Sequence, residues 1–231
     1  MKPPLLLAGL LALVCAASLS AAEPADPFAG LKTYKAPVSQ EVFLHYDPAI
    51  TQIINKPIST DEDPSIITRV LRAKLDRTQD EWYFVDFDSG PSDDPSFTLT
   101  KEGSKEPAAS IPGLHLYLPG NGSMYASGHA DTMFDEHRKY VLKGGKIAET
   151  KQPYLAVGLE GKAKKDLTIY TTTAQKEAVA FIPKGAVMSV LVADGQDNYL
   201  VKTAFGLVGW VKIPADSQDA TVIEGLFFAG D

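Results

Sequence analysis

The sequence predicts an all-β protein: a β-rich domain over residues 41–160 followed by a second, smaller β-rich unit over residues 165–215. Three observations carry this. Apolar and aromatic residues recur at alternate positions in segments of four to eight, the spacing of a half-buried strand. Gly, Pro, Asn and Asp interrupt those segments at short intervals, as turns demand. No stretch long enough for a stable helix keeps an apolar stripe at helical spacing.

The first 22 residues have a different character. Lys2 supplies a positive charge, Leu5 to Val14 is an uncharged apolar run, and Ser20-Ala21-Ala22 ends it in small side chains. That order is a secretory signal peptide, with cleavage expected after Ala22. An uncleaved anchor fits less well, because the run ends in small residues and lacks a basic stop. A lipidated Cys15 fits less well too, since Ala12-Leu13-Val14 precedes it. The mature chain is therefore expected to be periplasmic or secreted, with no integral membrane segment.

Cys15 is the only cysteine, so cleavage leaves none. A chain without cysteine forms no disulfide, holds no metal through thiolate and has no cysteine nucleophile. Its stability must come from a packed core, which about 200 residues can supply. The formal net charge of −7 becomes −8 once Lys2 departs, with 21 basic residues against 29 acidic. General binding to nucleic acid, or to an anionic membrane, calls for the opposite sign; only a local basic patch would serve either.

Residues 23–40 are rich in Pro and Ala and read as a linker or loosely docked arm. Glu41 to Tyr46 is the first strand, ended by Asp47-Pro48. Ser59 to Pro64 is an acidic turn. Ser65 to Leu75 satisfies both a helical stripe (Ile67, Val70, Leu71, Leu75) and strand alternation; its length and neighbours favour a strand. Glu81 to Phe87, aromatic and β-branched, is a clear strand. Ser89 to Pro112 is mostly loop, with one strand at Phe97 to Thr100. Gly113 to Leu118 turns through Pro119-Gly120-Asn121-Gly122 into Met124-Tyr125-Ala126. Arg138 to Lys143 and Lys146 to Glu149 flank Gly144-Gly145, the plainest hairpin in the chain. Tyr154 to Glu160 is a further strand.

From Asp166 the pattern sharpens. Leu167–Tyr170 alternates, Pro183-Lys184-Gly185 turns into Val187–Val192, Asp194-Gly195 turns into Tyr199–Lys202, and Gly206-Leu207-Val208-Gly209-Trp210-Val211 closes the unit. Over about 50 residues this resembles the bacterial Src-homology-3 domain, whose fold is a single small barrel. The resemblance implies binding of a cell-wall peptide or an envelope protein. Many members carry Arg-Ser after the first strand; Tyr170-Thr171-Thr172 stands here, which puts in doubt any ligand contact made by that arginine. The glycines before Trp210 let the chain turn and pass close to a neighbouring strand. Trp210 itself is expected to point inward and fill the barrel core, with ligand stacking as the alternative. Residues 216–231 read as a C-terminal tail, and the region before the barrel resembles only uncharacterised exported proteins. The order of Val42–Tyr46 and Trp82–Val85 faintly echoes that of two barrel strands, which would make a diverged second barrel.

Motifs for chemistry are sparse. His45 and His115 lie within strands and read as half-buried or surface residues. His129 and His137 bracket Asp131, Asp135 and Glu136, the densest ionisable cluster containing histidine, but at no metal-ligand spacing. Neither Asp61-Glu62-Asp63 nor Asp93-Asp94 has the alternating oxygen array of a calcium loop. There is no Gly-x-Ser-x-Gly elbow and no phosphate loop before a helix. No cofactor and no metal are expected. The leading expectation is an exported, non-catalytic binding or adaptor protein of the cell envelope. Its preferred contact region is the loop from Gly120 to Phe134, with Asn121, Tyr125, His129 and Phe134 as binding residues, because loops carry function more often than strands. The alternative is an exported hydrolase in which His129, Asp131 and His137 converge and the barrel targets the enzyme. The expected partner is a cell-wall peptide or envelope protein, and not nucleic acid.

Overall fold

The computed structural model describes residues 26–38, 40–60, 65–90, 94–215 and 218–230. The expected signal peptide at residues 1–22, Cys15, the Asp61–Asp63 run and Asp93 lie outside the described residues. The rest is all β. Seventeen strands follow in chain order: β1 (Lys32–Lys35), β2 (Phe43–Tyr46), β3 (Thr51–Pro57), β4 (Ile67–Ala73), β5 (Tyr83–Asp88), β6 (Ser96–Lys101), β7 (Ala109–Pro112), β8 (His115–Leu118), β9 (Ser123–Gly128), β10 (Glu136–Lys143), β11 (Lys146–Glu149), β12 (Leu155–Lys162), β13 (Leu167–Tyr170), β14 (Ala178–Ile182), β15 (Val187–Ala193), β16 (Asn198–Thr203) and β17 (Val208–Lys212). No helix among the described residues is long and apolar enough to cross a membrane.

Two sheets share the first core. One is a five-stranded antiparallel meander, β3 to β7 in sequence order; the other is mixed, in the order β1-β2-β8-β9-β10-β11. Alternation supplies the inner faces: Tyr83, Val85, Phe87, Phe97 and Leu99 from the meander meet Leu44, Leu116, Leu118 and Met124 from the mixed sheet. Burying each such side chain contributes about 1.5–3 kcal/mol, offset by the entropy of ordering it. The strand at 67–73 contains a bulge between Arg69 and Leu71, which puts Val70 and Leu71 both in the core. One extra residue in the ladder turns consecutive side chains inward, and this is why Val70 and Leu71 together mimic a helical stripe within a strand. Strands β2 and β8 run parallel, a pairing that needs a long crossover; the crossover here contains the whole meander.

Residues 32–35, expected within a linker, form β1 and pair with β2; Ala36 just beyond is in the core. The turns expected at Gly120 to Gly122 and Gly144-Gly145 form, with Gly120, Gly122, Gly144 and Gly145 at positive φ.

The last sheet runs β12-β15-β16-β17-β13-β14. Its core holds Ile169, Met188, Val190, Val201 and Val211. No ladder joins its edge strands β12 and β14 among the described residues, so hydrogen bonding does not close the sheet into a barrel. Strand β12, read as the end of the preceding domain, is paired instead along β15. The expected tail is built in as well: Val222, Ile223 and Leu226 are buried against this sheet, because the inner face has more apolar surface than its own strands cover.

Trp210 corrects an expectation. It is half-buried and outside the core, and the inward positions beside it belong to Gly209 and Val211. Its ring lies 5.9 Å from Tyr154 on the outer face, and Tyr170 is its cross-strand partner. The close approach is made by Gly209, where a Cβ would sit 3.0 Å from the Ile169 Cβ and the Tyr170 carbonyl oxygen; that leaves no room for an inward indole.

Candidate functional site

The outer face of the mixed sheet departs from ordinary patterning. A solvated sheet face is normally polar; here it is aromatic and imidazole. Register explains the arrangement. Thr33, His45, Tyr117, Tyr125 and Lys139 are successive cross-strand partners through β1, β2, β8, β9 and β10. A second row, two residues along, is Lys35, Phe43, His115, Ser127 and His137. Side chains of like parity point to one face, so ten residues distant in sequence stand together.

Within these rows the rings are in contact. His45 lies on Tyr117 with centroids 4.1 Å apart and planes 9° from parallel. Phe43 stacks on His115 at 5.0 Å. Phe28, from the turn at residues 27–30, packs on Tyr117 at 4.8 Å and edge-on to Tyr125 at 5.0 Å. Each such pair is worth about 0.5–1.5 kcal/mol beyond area burial. Thr33 Oγ1 lies 3.0 Å from His45 Nδ1, and His45 Nε2 lies 3.4 Å from His115 Nδ1. Burial, and then the neighbouring His115, hold the His45 pKa below the ordinary histidine value.

Beside the rings is a groove of about 550 Å³, lined by Phe28, Tyr117, Tyr125, His137, Lys139 and Gln152 among others. Two charged groups at its rim differ. Arg138 is held by Glu136 and Glu149. Lys139 is in no ion pair among the described residues; its amine sits 5.6 Å from the Tyr125 ring centroid. The groove thus offers aromatic walls, one uncommitted cation and an exposed imidazole. A depression of about 730 Å³ lined by Asp47, Asp76, Arg77 and Asn121 is more polar, but its groups serve the fold. Arg77 bonds Asp47 at 3.0 Å and the Pro119 and Gly120 carbonyls; Asp76 accepts from the Thr78 hydroxyl and amide.

The four residues predicted as a contact region are not brought together. Tyr125 stands in the groove. Asn121 lines the polar depression, where its Oδ1 accepts from the Ser123 amide. Phe134 is buried in the second core, edge-on to Tyr199. His129 donates from Nε2 to the Phe227 carbonyl at 3.0 Å. For the hydrolase alternative, no hydrogen bond or ion pair joins His129, Asp131 and His137 among the described residues. No group of three His, Cys, Asp or Glu there could hold a metal ion.

Sequence reasoning missed Phe28, Tyr117, Lys139 and the histidine pair as one surface. A signal existed: Phe43-x-His45 and His115-x-Tyr117 place rings at the alternate positions where a solvated strand carries polar groups. Their meeting depends on the parallel β2–β8 register, which has no local signature. Compared with protein families, with curated proteins and with solved structures, the chain matches none.

Proposed function

We propose that the protein is an exported, non-catalytic binding protein of the cell envelope that takes a carboxylate-bearing cell-wall peptide in the Tyr117–Tyr125 groove. The observation that carries this is the uncommitted Lys139 amine above an aromatic floor. Aromatic walls bury apolar side chains and ring faces, and a lysine in no ion pair can meet an anion. The amino-terminal basic, apolar and small-residue segments support export to the periplasm or beyond.

The last sheet is proposed to be a diverged Src-homology-3-like unit. Support comes from the β15–β16–β17 meander, the antiparallel placement of β13 beside β17, and the turns at Pro183-Lys184-Gly185 and Asp194-Gly195. With Trp210 on the outer face beside Tyr154 and Tyr170, this unit offers a second ring-lined surface.

A pull-down of purified mature protein on intact peptidoglycan sacculi tests both. Loss of retention in Tyr125→Ala and Lys139→Gln, with Trp210→Ala unaffected, assigns binding to the groove. The reverse pattern assigns it to the last sheet. No retention of the parent protein would sink wall binding.

A further inference from the structure

Four strand ends meet at one end of the last sheet: the close of β12 and β16 and the start of β15 and β17. Lys162 pairs with Val187, Met188 with Thr203, and Lys202 with Val208. Met188, Val201 and Gly209 face inward, so alternation puts Lys162, Val187, Lys202 and Val208 together on the outer face. Between β16 and β17 a tight turn, closed by Thr203 N–H to Leu207 O and Gly206 N–H to Thr203 O, carries Phe205.

This end is apolar at its tip and cationic around it. Phe205 is 88% exposed, Val187 52%, and Leu207 and Val208 41% each. A phenylalanine held almost wholly in water at a rigid turn gains nothing for the fold. The adjoining turns, tied by Ala163 N–H to Ala186 O and Gly185 N–H to Ala163 O, add Lys164, Lys165 and Lys184. None of these five lysines is in an ion pair; every ion pair among the described residues lies between residues 35 and 149. Of the nearby carboxylates, Asp166 accepts from the Lys184 amide, while Glu160 and Glu224 are exposed.

We propose that this end of the last sheet docks on an anionic phospholipid surface, with Phe205 and Leu207 entering the interface and the lysines meeting the headgroups. Charge complementarity selects the occupant. The chain is acidic overall at −7, and an acidic protein approaches an acidic membrane only through a local patch of opposite sign. Lysine stems lie along apolar surface while their amines stay at the headgroups, and one protruding aromatic fits a bilayer interface better than the flat, packed centre of a protein interface. This surface is separate from the groove and does not rest on the binding proposed there.

The test is co-sedimentation of the mature protein with vesicles of phosphatidylcholine, with and without about one-third phosphatidylglycerol, at low salt and at about 0.5 M salt. Binding is expected only to the phosphatidylglycerol vesicles and is lost at high salt. Phe205→Ser is expected to weaken it by about tenfold, and Lys162→Gln with Lys202→Gln by a similar factor, while Tyr125→Ala leaves it unchanged. Phe205, Lys162 and Lys202 support no core, so the Phe205 and lysine variants should keep the parent melting temperature. Equal binding to neutral vesicles, indifference to Phe205→Ser, or no binding would overturn the proposal. So would a concentration-dependent dimer in sedimentation velocity that Phe205→Ser abolishes, which would give the patch to a second copy of the chain.

Discussion

The His45 imidazole lies flat on the Tyr117 ring at 4.1 Å while its Nε2 faces His115 Nδ1 at 3.4 Å. This places a titratable group in the middle of an aromatic face. Its pKa is lowered by burial first and by His115 second, so between that lowered value and the ordinary 6.5 the unfolded chain binds more protons than the folded one. Stability is therefore full above about pH 6.5 and falls as the pH drops through the lowered value. Melting temperature followed from pH 8 down to about pH 5, above the range in which carboxylates titrate, should show this slope in the parent and a flatter one in His45→Phe, which keeps the stack. An unchanged slope would mean that another group governs that range.

Arg69 and Asp86 form a two-pronged ion pair across β4 and β5, at 2.8 and 3.0 Å, with Asp86 only 6% exposed. The guanidinium also lies 4.0 Å from the Phe84 ring centroid. Removing one partner strands the other. Asp86→Ala should cost about 2–3 kcal/mol in urea unfolding, a little under the range for a fully buried pair because Arg69 keeps some solvent. Replacing both partners, as Arg69→Met with Asp86→Leu, should recover most of that loss.

Gly161 is smooth against the C-terminal segment: a Cβ there would strike the Glu224 carbonyl oxygen. Gly161→Ala should lift residues 222–226 from the core, destabilising the protein by about 2 kcal/mol. Ile223→Ala, at a fully buried position, should cost about 3 kcal/mol. Limited proteolysis should cut both variants near residues 215–224 before the parent is cut at all.

Trp210 distinguishes an outer ring from a core ring. Trp210→Ala should cost about 1 kcal/mol, the loss of a partly covered aromatic pair, against about 3–5 kcal/mol for a core indole. Val201→Ala, one of the fully buried positions, should cost more than Trp210→Ala despite its smaller side chain. Chemical-denaturation midpoints of the two variants decide this.

Most strands and hairpins were readable because their causes are local, but β1 was read as linker, β7 as loop, and β3 went unread. Gly144-Gly145 and Gly120-Asn121-Gly122 turn the chain through conformations that glycine tolerates, and Tyr83–Phe87 alternates whatever it pairs with. The bulge in β4 was not readable, because it is set by the two neighbouring strands. The candidate site was readable in one residue, Tyr125. Its companions Tyr117 and Lys139 flank it on the antiparallel neighbours β8 and β10, while His45 and Phe43 join them through a parallel pair separated by an entire sheet.

Sequence alone determined that the chain is all β, where its principal turns fall and which residues alternate. Tertiary structure decided which alternate set faces inward. Period-two spacing divides side chains between two faces, but only the sheet or segment packed on one of them makes that face a core. Gly209 and Val211 were thereby turned in and Trp210 out. The same packing left the imidazoles and rings of β2, β8 and β9 on the open side, where they form a surface.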